Sequence, residues 1–554
     1  MPGNVESALE HAQTASREGR WEEAREGYSS VLDQAGAPAE LGLAEALMWL
    51  GDTDGSVRHC QRAYAGFRRA SEHMAAGDAT ILLYFLHRIS LGNVAAARGS
   101  MARLERLVEE HDLVPLRGWA LLLRAHDRGE SGDAAGGVAL LAGALTSARE
   151  GGDLDLELCA LSGKGALLVE TGRLREGLDL LDEAMAGSIG GEGVRLDTVV
   201  FTSCCMITAC SRAAQYARAA QWIRASEAFA ERTDSFHVHT VCRLHYGSVL
   251  LGTGRWDEAE AELAEAMRIA RTAEPTMFAE ALARMAELRL AQGRVDEAAA
   301  LLQGVEDRAT SVPALAGVLL ARGDPAAAAA VLRRRLRAVG DACLDAAVLV
   351  ELLAEAEVAL GGVGSAGRRA RGLARLGAAV GCDVVTARAE RALGRVAAAA
   401  GRPAAVEHLE RALEAFCRLE MPLEAGRTHL LLAEALSESA PDEAIGEARA
   451  AAAAFDALGA ARFSDAARAR LRTLGVRAAP SGPRSLALLT RRELEILELL
   501  AGGMSNREMA ERLYLTRKTI EHHVHNVLVK LELRNRAEAA AFAVRHLERE
   551  SATT

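Results

Sequence analysis

Apolar residues recur at helical spacing along almost the whole chain, and no stretch alternates as a β-strand does, so the pattern predicts helices throughout. A short unit also repeats: a glycine, a polar residue, and then an acidic or alanine-rich helix start. The clearest copies begin at Gly19, Gly172, Gly254 and Gly293, and weaker copies begin at Gly51, Gly92, Gly132, Ala214, Gly323 and Gly401. From Gly92 the spacings are 40, 40, 42, 40 and 39 residues. A period near 40 predicts stacked two-helix hairpins.

Physical chemistry explains which residue types occur at each position of the repeat. Glycine suits a left-handed turn at the end of the first helix, and the following acidic residues favour the positive N-terminus of the second. Small side chains such as Ala24, Ala259 and Ala298 let helices approach closely. These units resemble tetratricopeptide repeats, and we expect about eleven or twelve hairpins over residues 5–474, stacked as a superhelical solenoid.

The helical pattern breaks at Pro480-Ser481-Gly482-Pro483, because two prolines and a glycine in four residues forbid a continuous helix. The sequence therefore predicts an all-α protein with three parts. These parts are a tetratricopeptide-like repeat domain at 1–474, a linker at 475–486 and a small four-helix domain at 487–550.

The small domain has clear helix-start signals. Thr490 with Glu493, and Ser505 with Glu508, each form a capping box. They predict a first helix from Arg491 through Leu500 and a second over 506–513. Thr516 opens a third helix, whose predicted inward stripe is Ile520, Val524, Val527 and Leu531. A short helix, a three-residue turn and a longer helix with a polar outer face are the parts that enter a DNA groove.

Successive motifs of this segment closely resemble the LuxR-type DNA-binding domain. The motifs are Leu489-Thr490-Arg491-Arg492-Glu493-Leu494-Glu495-Ile496-Leu497, Gly503-Met504-Ser505-Asn506-Arg507-Glu508-Met509-Ala510, Thr516-Arg517-Lys518-Thr519-Ile520-Glu521-His522-His523 and Lys530-Leu531-Glu532-Leu533. The resemblance implies that the third helix lies in the major groove of double-stranded promoter DNA, with base contacts from Glu521, His522 and His525. Contacts to the DNA backbone are expected from Asn506, Thr516, Arg517, Lys518, Thr519, Lys530 and Arg536.

The resemblance also implies a homodimer formed through the fourth helix. Its candidate face is Ala539, Ala540, Phe542 and Ala543, and the alternative is that this face only covers the first helix of the same domain. His523 is interpreted as a structural residue rather than a base reader or a metal ligand.

Charge restricts where nucleic acid can bind. The chain has 554 residues and a net charge of −11; residues 481–554 contain 12 Arg and Lys against 10 Asp and Glu, which leaves −13 for residues 1–480. We expect the bulk of the chain to repel nucleic acid, so that only the tail approaches it, and a tail of +2 to bind weakly as a single copy. The sequence predicts no membrane-spanning segment and no secretory signal, hence a cytoplasmic, nucleoid-associated bacterial protein with no membrane partner.

No enzymatic chemistry is predicted, and neither a cofactor nor a metal. The chain is similar to the C-terminal half of the large ATP-binding LuxR regulators, but it lacks their phosphate loop, since Gly163-Lys164-Gly165 falls in a helical stretch. Cysteines and histidines on two neighbouring hairpins could form a redox or metal sensor, although buried core thiols and surface histidines explain them better. These residues are Cys204, Cys205, Cys210, His237, His239, Cys242 and His245.

The leading hypothesis is a sequence-specific transcription regulator whose repeats receive an unknown ligand or partner protein and control the reader. The resemblance suggests activation by contact with RNA polymerase, although the residues do not separate an activator from a repressor. The alternative is a protein-interaction scaffold with a vestigial DNA-binding tail.

Overall fold

The computed structural model describes residues 2–233, 236–340, 343–344, 346–476 and 491–513. Beyond these it describes 520, 524, 527–528, 533, 536, 538–540 and 542–543. The chain divides into two compact units, Met1–Leu474 and Gly475–Thr554. Within the described residues both units are built from helices, and no β-strand occurs among them.

The first unit contains helices α1 to α26 and the second contains α27 and α28. Their bounds are α1 Pro2–Arg17, α2 Trp21–Ser30, α3 Leu32–Ala35, α4 Ala37–Trp49, α5 Thr53–Ala70, α6 His73–Phe85, α7 Val94–His111, α8 Val114–Glu130, α9 Ala134–Gly151, α10 Leu154–Glu170, α11 Leu174–Gly190, α12 Leu196–Arg212, α13 Tyr216–Thr233, α14 Phe236–Gly252, α15 Trp256–Ala273, α16 Pro275–Ala291, α17 Val295–Leu301, α18 Val312–Ala321, α19 Pro325–Val339, α20 Ala346–Ala359, α21 Val363–Val380, α22 Asp383–Ala399, α23 Ala404–Arg418, α24 Pro422–Ala435, α25 Pro441–Leu458, α26 Ala461–Thr473, α27 Arg491–Ala501 and α28 Asn506–Leu513. A π-helical turn, Leu86–Ser90, extends α6, and a 3-10 turn, Ala309–Ser311, precedes α18.

The first unit is a solenoid of antiparallel helical hairpins, as the repeat predicts. Its hairpins are α1/α2, α4/α5, α6/α7, α8/α9, α10/α11, α12/α13, α14/α15, α16/α17, α18/α19, α20/α21, α22/α23 and α24/α25, and α26 packs against the last one. Twelve hairpins agree with the expected eleven or twelve. Each hairpin buries its apolar stripe against its neighbours, so the core runs along the unit rather than around one centre.

The predicted left-handed turns occur at every copy of the repeat. The nine glycines have φ between 63° and 91°, and Ala214, which takes the place of glycine in α12/α13, has φ of 53°. A residue without a Cβ adopts this backbone at little cost, which explains why glycine recurs every 40 residues or so.

Eight of the twelve second helices begin with one of two arrangements. In four of them an Asp or Asn side chain accepts a hydrogen bond from a backbone N–H three residues on, at Asp52, Asn93, Asp133 and Asp324. In the four clearest copies, which begin Gly-Arg, the arginine instead pairs with a glutamate three residues later, as Arg294 Nε does with Glu297 Oε1 at 2.6 Å. Both arrangements place a carboxylate or an amide oxygen at the positive end of the helix.

Hairpins that are five apart along the chain touch each other. A methyl carbon at Gly172, in the turn of α10/α11, would lie 2.9 Å from Cα of Val380, at the end of α21. A methyl carbon at Gly254 would likewise lie 2.6 Å from Cδ2 of Leu458, at the end of α25. These contacts show that one turn of the superhelix takes five hairpins and that successive turns are in van der Waals contact.

Candidate nucleic-acid interface

The described part of the second unit contains two helices whose bounds agree with the sequence-based prediction to within one residue. α27 ends at Ala501, and Gly503 turns the chain with φ of 76°. The backbone N–H of Ser505 donates to Glu508 Oε2 at 2.6 Å, and the N–H of Glu508 donates to Ser505 Oγ at 3.3 Å. These bonds hold the pKa of Glu508 below its usual value and confirm the second capping box. Thr490, which would cap α27, lies outside the described residues.

A small apolar core fixes the orientation of the elements. The buried side chains are Ile496, Leu497, Leu500, Met509, Ala510, Ile520, Val524, Val527, Leu533, Ala539, Phe542 and Ala543. The predicted inward residues Ile520, Val524 and Val527 are among them, and Leu513 is partly buried. Leu531 lies outside the described residues.

Most of the predicted DNA contacts fall where the structure gives no description. The residues outside the described ranges are the base readers Glu521, His522 and His525, the backbone contacts Thr516, Arg517, Lys518, Thr519 and Lys530, and the structural residue His523. Their roles stay predictions.

The two remaining backbone candidates are joined to each other. Arg536 Nη1 donates to Asn506 Oδ1 at 2.7 Å, and its Nη2 donates to the carbonyl oxygen of Met504. The guanidinium therefore ties the segment around residue 536 to the start of α28, a structural role that the sequence did not indicate. Whether these side chains also contact phosphate stays a prediction.

Replacing Arg536 should lower the local stability at the start of α28. We expect Arg536→Gln to lose about 1–3 kcal/mol of local stability, because charge-assisted bonds to partly buried acceptors are lost. In the full chain, hydrogen exchange of the amides of residues 504–509 should accelerate about 5- to 150-fold. Arg512→Gln, at an exposed position of α28, is the control. Equal exchange in the two variants would mean that Arg536 does not hold this turn.

The predicted dimer face is largely occupied within the domain. Ala539 and Ala543 are fully buried, Phe542 is 1% exposed, and all three share the core with Ile496 of α27. Only Ala540 is half-buried. These three side chains are therefore packed in the core of their own domain, which is compatible with the alternative that the face covers the first helix. Dimerisation through the fourth helix stays a prediction.

The cysteine and histidine group has the environment of a structural core. Burial raises the pKa of the Cys205 thiol to about 11, and those of Cys204, Cys210 and Cys242 to about 12, so none of the four is an activated thiolate. His245 is 5% exposed, lies 3.2 Å from Thr208 Oγ1, and has a pKa lowered by burial. The side chains of His237 and His239 lie outside the description. In the described part of the chain no three such groups converge as a metal site would require.

Two further sequence expectations concern the solenoid. Gly163-Lys164-Gly165 lies inside α10, and a helix interior uses its backbone N–H groups internally, so this segment is not a phosphate loop. No helix among those described is both long enough and apolar enough to span a bilayer.

The described part of the tail shows two helices joined at Gly503 and one shared apolar core. Residues 487–543 match the family of bacterial regulatory proteins described as the luxR family, and the C-terminal segment is thus a LuxR-type DNA-binding domain. The transcriptional regulatory protein LnrK of Bacillus subtilis is 45% identical over 64 residues, which are 12% of this chain and 29% of that protein. The response regulator protein VraR of Staphylococcus aureus is 48% identical over 59 residues, 11% of this chain and 28% of that protein. The chain thus spans less than a third of the length of these two relatives.

Among solved structures, the chain is similar to a Rap protein complexed with competence and sporulation factor. The two share 14% identity with a TM-score of 0.37, over 58% of this chain and 99% of that one. A likeness this distant carries no information about what the solenoid binds.

Proposed function

We propose that the chain is a sequence-specific transcription regulator that reads promoter DNA with its C-terminal domain. The observation that carries this proposal is the match of residues 487–543 to the luxR family, on a segment whose two described helices lie where the sequence predicts them and whose described apolar residues form a core. The proposed parts are the repeat domain at 1–474, the linker at 475–486 and the reader at 487–550.

Helical periodicity supports the choice of base readers. If Ile520, Val524 and Val527 mark the buried side of the third helix, then 522 and 525 fall on the opposite side of a regular helix, and 521 beside them. That outer side is the one that would enter the major groove.

The chemistry of the three side chains sets what they can read. The carboxylate of Glu521 accepts from the cytosine amino group but is repelled by phosphates. The imidazoles of His522 and His525 donate to guanine acceptors or pack on a thymine methyl group. Thr516, Arg517, Lys518, Thr519 and Lys530 would position the helix through phosphates, without specifying sequence.

The remaining parts of the proposal concern regulation. With +2 on the tail a single copy should bind weakly, so we propose that two copies act together as a homodimer on DNA. The solenoid would receive a ligand or partner protein and change how the tails are presented. Activation through RNA polymerase, at the nucleoid in the cytoplasm, completes the proposal.

The test uses the full chain and a duplex that it selects from a random pool. We expect His522→Ala/His525→Ala to lose about 1–3 kcal/mol of discrimination per lost base contact, so that the selected and random duplexes bind alike. Lys518→Gln, the control, should weaken both duplexes equally and make the salt dependence shallower by about one unit. Binding would be followed by fluorescence anisotropy.

The scaffold hypothesis predicts a different result. A protein whose tail is vestigial would select no sequence, and the double histidine variant would match the unaltered chain on every duplex. Either result would reject the proposed function.

A further inference from the structure

The second helices of two successive hairpins, α19 and α21, carry an unusual charge. α19 and α21 each contain four arginines and no acidic residue, although residues 1–480 have a net charge of −13. The arginines are Arg333, Arg334, Arg335 and Arg337 of α19 and Arg368, Arg369, Arg371 and Arg375 of α21. The negative charge of the solenoid is therefore not evenly distributed.

One buried carboxylate joins the two helices. Arg333 Nη2 lies 2.8 Å from Glu357 Oε1, and Arg369 Nε lies 3.3 Å from the same oxygen. Glu357 belongs to α20, which lies between α19 and α21 in the chain, and it is 2% exposed. Because both helices hold the same oxygen, their outer sides form one surface, which we call the arginine face.

Of the six other arginines of this face, five are exposed to solvent and Arg335 is partly buried. Arg368, Arg371 and Arg375 are exposed and are spaced three and four residues apart, which places them in one row along α21. Within the described residues no acidic side chain pairs with any of these three. On α19, Arg334 and Arg337 are exposed, and Arg334 pairs with Asp307 at 3.1 Å.

Small residues separate the exposed arginines. Every other exposed position of the two helices is alanine or glycine: Ala326, Ala330 and Ala338 of α19, and Gly364, Ala378 and Ala379 of α21. A rigid polyanion can therefore approach the helix surface closely. The two helices expose no large apolar side chain that would insert into a lipid surface, which disfavours a membrane as the partner.

The second helix of the next hairpin, α23, shows that this charge pattern is local. α23 exposes Glu407, Glu410 and Glu414 beside its arginines. Arg411 pairs there with Glu390 at 2.9 Å, and Arg418 pairs with Asp383 at 3.4 Å. Mixed, paired charges of this kind have no net attraction for an anion.

We propose that the arginine face binds the phosphate backbone of duplex DNA. The guanidinium group suits this contact, because its planar donors fit phosphate oxygens in pairs. The acidic remainder of the solenoid would repel the duplex and so favour its approach to this face. The inference rests on the proposed function, since the duplex would be the one that the C-terminal domain reads.

The test compares the unaltered full chain with Arg368→Gln/Arg371→Gln/Arg375→Gln. Two duplexes are used, the selected duplex and the same duplex extended on both sides by random sequence. The slope of log affinity against log salt on the extended duplex should become shallower by about 0.9 for each lost phosphate contact, hence by up to about 2.7. The preference for the selected over a random duplex of equal length should not change, because phosphate contacts read no bases.

The control variant removes the same charge from α23 and from the turn that precedes it. Arg402→Gln/Arg411→Gln/Arg418→Gln should keep the salt slope of the unaltered chain, because two of its arginines are paired with acids. If both triple variants changed the salt slope equally, the change would come from net charge alone and the inference would be overturned. An unchanged slope in the first variant would also overturn it, whether that variant instead lost binding to phosphatidylglycerol vesicles or lost self-association in sedimentation.

The two hypotheses fail in different ways. If His522→Ala/His525→Ala keeps its sequence preference, the proposed function fails. The proposal for the arginine face is then still tested by the slope of log affinity against log salt, measured on a random duplex.

Discussion

Arg391→Met should lower the free energy of unfolding of the solenoid by about 3–5 kcal/mol, the cost of removing one partner from a buried ion pair. Arg391 is 1% exposed. Its Nε lies 2.6 Å from Glu351 Oε1, and its Nη2 lies 2.5 Å from Glu424 Oε2. The guanidinium also lies over the ring of Phe416, 4.6 Å from its centroid. Methionine fills the space but leaves two carboxylates without their shared partner.

The effect should be large because Arg391 belongs to a wider buried network. The network spans α20, α22 and α24, the first helices of three successive hairpins. Arg388 Nη1 lies 2.6 Å from Glu351 Oε2, and Arg427 Nη1 lies 3.4 Å from Glu424 Oε2. A change at its centre therefore unbalances three hairpins at once.

The network also predicts how stability depends on pH. Burial alone would raise the pKa of Glu351 and of Glu424, but nearby arginine charges outweigh it and hold both pKa values below the usual range. These charges are those of Arg391 and Arg388 at Glu351, and those of Arg391, Arg427 and Arg388 at Glu424. A carboxyl whose pKa is lower when folded stabilises the fold above its unfolded pKa of about 4.3 and loses that contribution as pH falls. In Arg391→Met both pKa values should rise, so that stability falls away at a higher pH than in the unaltered chain.

Denaturant unfolding at pH 7 and a series of thermal melts down to pH 3 would measure both effects. Arg411→Met is the matched control, since Arg411 pairs with Glu390 at the surface, where an ion pair contributes only about 0–1 kcal/mol. Arg391→Lys should recover part of the lost stability, because it restores the positive charge. The recovery should be partial, because lysine lacks the planar guanidinium that reaches both carboxylates. Equal midpoints for the two methionine variants would show that the buried network does not stabilise the solenoid.

Features that depend on neighbouring residues could be predicted from the sequence. The glycine of each hairpin turn and the capping box of Ser505 with Glu508 are such features, and both occur where predicted. The inward stripe of the third helix is another, since Ile520, Val524 and Val527 are buried. In each case the physical cause lies within one helix or one turn, so the local pattern contains it.

Features that depend on distant residues could not be predicted. Glu351 and Arg391 are 40 residues apart, and each looks like an ordinary charge on a helix surface. The hydrogen bond between Arg536 and Asn506 could not be predicted from the sequence either, because both residues also suit a phosphate contact. The total charge of −13 likewise concealed the arginine face, since a sum over residues 1–480 does not show which helix carries which sign.

The contact between successive superhelical turns is the most distant of these features, and Gly172→Ala should reveal it. Gly172 and Gly361 occupy the same place in their hairpins, with φ of 91° and 77°. Alanine at either position should cost about 1–2 kcal/mol for the left-handed backbone. At Gly361 the added methyl group meets nothing within 4 Å, whereas at Gly172 it meets Val380.

Gly172→Ala should therefore lower the free energy of unfolding by about 1–3 kcal/mol more than Gly361→Ala, because it forces an extra atom into a packed contact. Denaturant midpoints of the two variants would measure the difference. Protection of the Val380 region from hydrogen exchange should also fall in Gly172→Ala alone, because its partner hairpin lies five hairpins earlier in the chain. If the two variants unfold at the same midpoint, then the turns of the superhelix do not press on each other in solution, and the solenoid is held only by its adjacent hairpins.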